Sequence, residues 1–221
     1  MERARPDRRR VDRRALLTLG AAGAAGWAVG RVLSRTAPVG RDVRASGAVA
    51  TILDDPDAPA IGPATATLRL AVFSDYRCPA CRHGFPALTE AVADDGDVRL
   101  LFKDWPIFGA SSIRAARVAL ASVSQGIYPA VHRRLMTAPG LLDDRQLHAA
   151  VAAAGGDWSR LRADLAREGG RIDMRLRRHA AEAASIALPG TPGYLAGSLL
   201  AVGAIDAPAF ARLFTAARNG A

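Results

Sequence analysis

The sequence predicts an α/β fold in the order strand, helix, strand, long helical region, hairpin, helix. Three observations carry this expectation. An apolar run, Leu68 to Phe73, leads into Cys78-Pro79-Ala80-Cys81 and a helix-length segment that extends to Val92. A second run of strand composition, Val98 to Lys103, follows at a distance that suits a parallel partner reached through the helix. Far downstream, Gly197-Ser198 fits a two-residue turn between two short strands.

Each element has a local reason. Pro86 lies inside the first helix and cannot donate its backbone bond, so a bend is expected there. Asp94-Asp95-Gly96-Asp97 ends that helix, and Trp105-Pro106 ends the second strand. Ile113, Ala116, Leu120, Val123 and Ile127 recur three or four residues apart and read as the apolar stripe of the next helix. Asp143 with Gln146 resembles a capping box before Leu147 and Val151, and Asp157 caps a segment carrying Trp158, Leu161 and Leu165. Arg171, Arg175, Arg177 and Arg178 have helical spacing around Ile172 and Leu176, a pattern that reads as a solvated face. Ala207 to Asn219 closes the chain as a helix bearing Phe210, Leu213 and Phe214. Pro192, just ahead of the hairpin, is at the sort of position where a cis peptide bond occurs.

Cys78 and Cys81 are the only cysteines. At a helix N-terminus, unpaired backbone N–H groups and the helix dipole stabilise a thiolate, and two intervening residues let the second sulfur close on the first. That pattern suits a pair cycling between dithiol and disulfide. A zinc site would need four ligands; Cys78, Cys81 and His83 supply at most three, and no second cysteine pair or H-x3-5-H pair exists among His83, His132, His148 and His179. The histidines read as surface or core residues. No metal is therefore expected, and two inert buried thiols are disfavoured by Pro79 and the preceding strand.

With 221 residues, half of them apolar, the chain can bury a substantial core in one domain behind an N-terminal extension. Its net charge of +9 is unevenly placed. Residues 1–44 hold 11 basic and 4 acidic residues, a net of +7, whereas the other 177 carry 19 and 17, a net of +2. The basicity belongs to the leader, so a nucleic-acid surface is not expected. Arg8 to Arg14, then an uncharged Ala15 to Gly30, then Arg31, has the order of an export signal or membrane anchor over residues 1–35, and Asp12-Arg13-Arg14-Ala15-Leu16-Leu17 resembles a twin-arginine signal. A disordered basic arm is the plainer alternative. Residues 36–66, rich in Pro, Gly, Ala and Asp, read as linker and lead-in, leaving 67–221 as the folded domain. Export would place the cysteines in a periplasmic or other extracytoplasmic compartment where disulfides persist, with a membrane tether through the N-terminus as a further option.

Phe73-Ser74-Asp75-Tyr76-Arg77-Cys78-Pro79-Ala80-Cys81, Phe102-Lys103-Asp104-Trp105-Pro106-Ile107 and Gly190-Thr191-Pro192-Gly193 together resemble the DsbA-like thiol:disulfide oxidoreductases, and are most similar to the ScsC-related branch. The resemblance covers roughly residues 50–219. It implies a thioredoxin-like fold with a helical insertion at about 111–187 between its two halves, Cys78 and Cys81 as the catalytic pair, Pro79 and Ala80 tuning it, and Thr191 with a cis Pro192 facing it as the substrate-binding segment. It also implies no cofactor beyond the redox-active Cys78–Cys81 disulfide, protein thiol and disulfide substrates, and a membrane redox partner that recharges the pair. Relatives commonly carry a buried Glu where Val72 stands; Lys103 remains as a supporting residue. Ala80 replaces the His of strongly oxidising members and cannot donate a hydrogen bond to the Cys78 thiolate.

Three functions fit these residues. The first is an exported oxidoreductase, acting as a dithiol oxidase. The others are a copper(I)-handling or chaperone-like binding protein using the dithiol as soft ligands, and a glutathione-dependent transferase or isomerase, a group that commonly has Ser where Cys78 stands. Four prolines, Pro38, Pro56, Pro59 and Pro63, disfavour a long N-terminal oligomerisation helix, so a monomer is expected.

Overall fold

The computed structural model describes residues 26–27, 39–140 and 142–220. Gly26 and Trp27, the described part of the expected export segment 1–35, are helical and exposed. The rest of that segment, including Arg13, Arg14 and Arg31, lies outside the described residues. Among those described, no helix is long and apolar enough to cross a membrane.

From Val39 onward the chain is one unit, which corrects the reading of 36–66 as a linker. β1 (Arg41–Asp42) pairs antiparallel with a strand of the C-terminal hairpin, a short 3-10 turn follows at Arg44–Ser46, and α1 (Val49–Leu53) buries Ile52 and Leu53. β2 (Ala60–Ile61) then adds an opposite sheet edge. Two-residue strands carry no readable period, so composition alone made this stretch look unstructured.

β3 (Leu68–Ser74), α2 (Pro79–Asp95) and β4 (Val98–Asp104) form the expected strand–helix–strand unit, with β3 and β4 parallel and in register from Leu68↔Val98 to Ser74↔Asp104. Gly96, in the left-handed region at φ 70°, terminates α2. The insertion comprises α3 (Ala110–Ala121), a 3-10 turn (Ser122–Gln125), α4 (Tyr128–Thr137), α5 (Asp144–Ala153) and α6 (Trp158–Ser185). β5 (Gly193–Ala196) and β6 (Leu199–Val202) make the hairpin, with Gly197 at φ 51°, and α7 (Ala207–Asn219) closes the domain. The sheet runs β1-β6-β5-β3-β4-β2, and every pairing but β3–β4 is antiparallel.

Strand alternation divides the core. Leu70, Val72, Leu100, Phe102 and Tyr194 face α2, α7 and the insertion, and pack with Cys81, Phe85, Phe210 and Phe214. Ala71, Phe73, Leu101 and Leu195 face the other side, against Ile52, Ala183 and Ile186. The expected stripe on the first insertion helix is only half right. Ala116 and Leu120 are buried, but Ile113 and Val123 are 42% and 40% exposed. α3 tightens into the 3-10 turn after Ala121, which rotates Val123 off the face that a continuous helix would have given it. Asp143 accepts from the Gln146 N–H, while the Gln146 side chain goes to Pro139 O instead of completing a box. Asp157 caps α6 through the N–H groups of Ser159 and Arg160. Most arginines of α6 are solvated, but Arg175 is half-buried, Arg178 reaches the buried Asp55, and Asp164, His179 and Glu182 on the same helix are buried.

Candidate active site

Cys78 is the N-cap of α2. Its sulfur accepts the Cys81 N–H at 3.3 Å, its own N–H goes to Asp75 O at 3.1 Å, and Pro79 fills the first helical position, where a missing donor costs nothing. The pair is a dithiol, and each cysteine is only 3% exposed. Ala80 packs against the core from a half-buried position, and Pro79 is exposed.

The loop ahead of β5 meets this helix end. Cys78 Sγ lies 3.3 Å from Thr191 O, and Thr191–Pro192 is cis. As a thiol Cys78 donates to that carbonyl; as a thiolate it is stabilised by the Cys81 thiol, the Thr191 side chain and the N–H groups of Cys81 and Ala80. The Cys81 hydrogen bond is the largest of these effects, burial opposes them, and the Cys78 thiol falls to about 6. Cys81 is pushed far above the ordinary thiol range, first by giving its proton to the Cys78 hydrogen bond and then by burial. The two sulfurs thus differ in role: one is ionised at neutral pH and the other keeps its proton.

Several residues around the pair gave no separate signal in the sequence. Tyr194 on β5 stands close enough that the charges of both cysteines, after burial, raise its hydroxyl. Gly84 on α2 permits this approach, since a Cβ there would sit 3.0 Å from Tyr194 Oη. Asp75, 1% exposed, ties the redox loop to the chain after β4: its carboxylate accepts from the N–H groups of Arg77, Ile107 and Phe108 at 2.7, 2.7 and 3.0 Å, and from Ser112 Oγ at 2.7 Å. Beneath lies a buried polar set in which Tyr128 donates to Asp104 Oδ2 at 3.0 Å and the Tyr76 hydroxyl meets His132 Nδ1 at 2.8 Å.

Lys103 lies across the sheet from the cysteines. Alternation along β4 puts it with Leu101 on the face away from α2, where its ammonium lies 2.7 Å from Asp55 and 2.9 Å from Glu182. Arg178 joins Asp55 at 3.0 Å, so two cations balance two carboxylates. Among the described residues, Asp55, His179 and Glu182 are the set whose ligand atoms converge, within 4.8 Å of one another. Lys103 occupies the space between the carboxylates, and a divalent ion added to this balanced cluster would leave net buried positive charge.

The DSBA-like thioredoxin domain profile matches residues 69–215. A thioredoxin-like oxidoreductase from Silicibacter pomeroyi DSS-3 superposes with a TM-score of 0.73 and 30% identity, covering 78% of this chain and 98% of that one. A periplasmic thioredoxin-like protein from Salmonella enterica serovar Typhimurium gives 0.67 and 27%, over 77% and 95%. The catalytic domain of Proteus mirabilis ScsC shares the fold, with a TM-score of 0.67 at 22% identity over 81% of this chain and 99% of that one. In sequence, a Na(+)/H(+) antiporter NhaA 3 of Salinispora tropica is 30% identical over 178 residues, which are 76% of this chain; the chain spans only 27% of that relative's length. The profile match, the solved neighbours and the thiol pair at the head of α2 agree, and the chain belongs to the DsbA-like thioredoxin-domain family.

Proposed function

We propose that this chain is an exported thiol:disulfide oxidoreductase that oxidises protein dithiols, with the Cys78–Cys81 disulfide as its only redox group. The carrying observation is the split between the sulfurs: a site that holds Cys78 as a thiolate near pH 6 favours the reduced enzyme and so favours passing the disulfide on. A substrate thiolate attacks Cys78, the Cys78–Cys81 bond breaks, and Cys81 leaves and takes a proton. A second substrate thiolate then attacks the substrate sulfur of the mixed disulfide, forms the product disulfide and expels Cys78 as a thiolate. The Thr191 backbone, whose carbonyl lies 3.3 Å from Cys78 Sγ, pairs with an extended substrate segment during this exchange. A membrane redox partner restores the disulfide.

Export is supported by the charge order of residues 1–35 and by the periplasmic neighbour. The antiporter relative, in which a segment like this one shares a chain with other sequence, supports work beside a membrane. The function is tested by equilibrating the pair against a glutathione buffer, with thiol oxidation and insulin reduction assayed beside it. A pair far more oxidising than glutathione that oxidises a reduced substrate bears the reading out. A strongly reducing pair that only cleaves insulin disulfides overturns the direction, and failure to form the disulfide overturns the function.

A further inference from the structure

Cys81 must gain a proton each time the disulfide opens and lose one each time it closes. It is 3% exposed, so this proton does not come directly from solvent, and Val72, on its face of the sheet, offers no group to hold it. Two residues further along that face stands Ser74, which strand register places beside Asp104 on β4. They are 3% and 0% exposed, and Ser74 Oγ and Asp104 Oδ1 each make no hydrogen bond. Two buried oxygens without partners on adjacent strands of one face are costly unless something passes between them. Ser74 stands on the cysteine face of the sheet and is bonded to Asp75, whose backbone N–H faces the Cys81 sulfur.

We propose that Asp104 is the proton reservoir of Cys81, exchanging a proton with its sulfur through the Ser74 hydroxyl. This rests on the redox reading of the cysteine pair given above. When the disulfide opens, the bond's electron pair leaves on Cys81, which takes the Ser74 proton while Ser74 takes that of the Asp104 carboxylic acid. When a partner disulfide reoxidises the enzyme, the Cys81 proton returns by the same route to the Asp104 carboxylate. Charge and protons balance in both directions.

The surroundings suit Asp104 to this work. Burial pushes its carboxyl up to about 7, the hydroxyls of Tyr76 and Tyr128 pull it down, and the charge of Asp75 raises it against Arg175 on α6. His132 on α4 reaches it only through the tyrosines and is kept neutral by burial, which lowers it to about 3. His179 on α6, also lowered to about 3, meets its main-chain oxygen at 3.0 Å. Among the described residues no cation forms an ion pair with the carboxylate, and the half-buried Arg175 acts on it through its charge alone. Tyr194 also feels the charge of both sulfurs, but its raised hydroxyl keeps its proton.

The test is the closing step alone. Wild-type protein carrying a thionitrobenzoate mixed disulfide on Cys78 releases the coloured thiol when Cys81 attacks, and the rate is followed from pH 5 to 9. The rate should rise through an inflection near pH 7. Asp104→Asn should remove that inflection and slow closure by about tenfold or more, the scale of a lost general base, while the alkylation midpoint of Cys78, measured with Cys81 replaced by Ala, stays in place. Ser74→Ala, which deletes an oxygen that bonds to nothing, should slow closure to a similar degree and answers the question if Asp104→Asn does not fold. Either variant closing at the wild-type rate with the wild-type profile overturns the proposal, as does a Cys78 midpoint that moves with the rate. Failure of the wild-type mixed disulfide to close would instead overturn the redox reading on which it rests.

Discussion

Lowering the pH should destabilise the reduced protein relative to its disulfide form, by an amount that follows from Cys78. Its folded thiol lies near 6 against an ordinary 9.0, a depressed value. The stabilisation is therefore present above the unfolded value and lost as pH falls through 6. For one group with these two constants, linkage gives a loss of about 3 kcal/mol between pH 8 and pH 5. Cys81, whose folded value is raised, contributes less than about 0.1 kcal/mol below pH 8, because an unfolded thiol is then still mostly protonated. The disulfide form has neither thiol. Paired denaturant titrations of reduced and oxidised protein at both pH values isolate the effect, since carboxylates remote from the cysteine pair titrate alike in both forms and cancel in the double difference. A double difference of about 2 to 3 kcal/mol in the stated direction is expected. One below about 0.5 kcal/mol, or of opposite sign, would mean that the thiolate is not held by the α2 N-terminus and the Cys81 thiol, and the assignment of the two sulfurs would fail.

The remaining predictions probe the same frame. Cys78→Ala should abolish turnover and Cys81→Ala should accumulate mixed disulfides with substrate, seen as reductant-sensitive adducts on gels; full activity in either would refute the exchange mechanism. Lys103→Ala leaves Asp55 and Glu182 buried without their ammonium, which should cost about 3 to 5 kcal/mol in denaturant unfolding, with the Cys78 alkylation midpoint unmoved; a shifted midpoint would show that Lys103 acts on the cysteines after all. Asp75→Ala strands the buried Ser112 hydroxyl and three half-buried N–H donors and should cost at least about 2 kcal/mol, lowering exchange rates even where the protein remains folded. Light scattering should report a monomer, and a stable trimer would overturn that expectation.

What the sequence disclosed tracks how local each signal was. The C-x-x-C at a helix start, the caps at Asp143 and Asp157 and the turn at Gly197 are specified within four residues, and the structure has all of them. The edge strands β1 and β2 are not, because what makes Arg41–Asp42 and Ala60–Ile61 strands is their partners at Leu199–Leu200 and Leu100–Leu101. Val123 misled because period alone does not say where a helix tightens and turns its face; Ile113 keeps the stripe's spacing and is exposed all the same. Tyr76 and Asp104 stood inside motifs already singled out, yet their link runs through Tyr128 and His132 on α4, and pairing of that kind leaves no mark on spacing.

Lys103 and Asp104 show how one step along a strand separates structure from chemistry. Both are fully buried and sit in the same short run, Phe102-Lys103-Asp104. Alternation sends the lysine to the face where α1, the β2 lead-in and the end of α6 meet, and there its charge is neutralised by Asp55 and Glu182. It sends the aspartate to the face of the cysteines, where tyrosine hydroxyls hold it without a cation at contact distance. A salt-bridged acid on that side would be fixed as an anion and useless for moving a proton at neutral pH. Keeping the lysine across the sheet leaves the carboxyl beside Ser74 free to titrate, so the distribution of charge over the two faces, rather than the presence of any one residue, is what lets a site with valine at position 72 still exchange a proton with its buried sulfur.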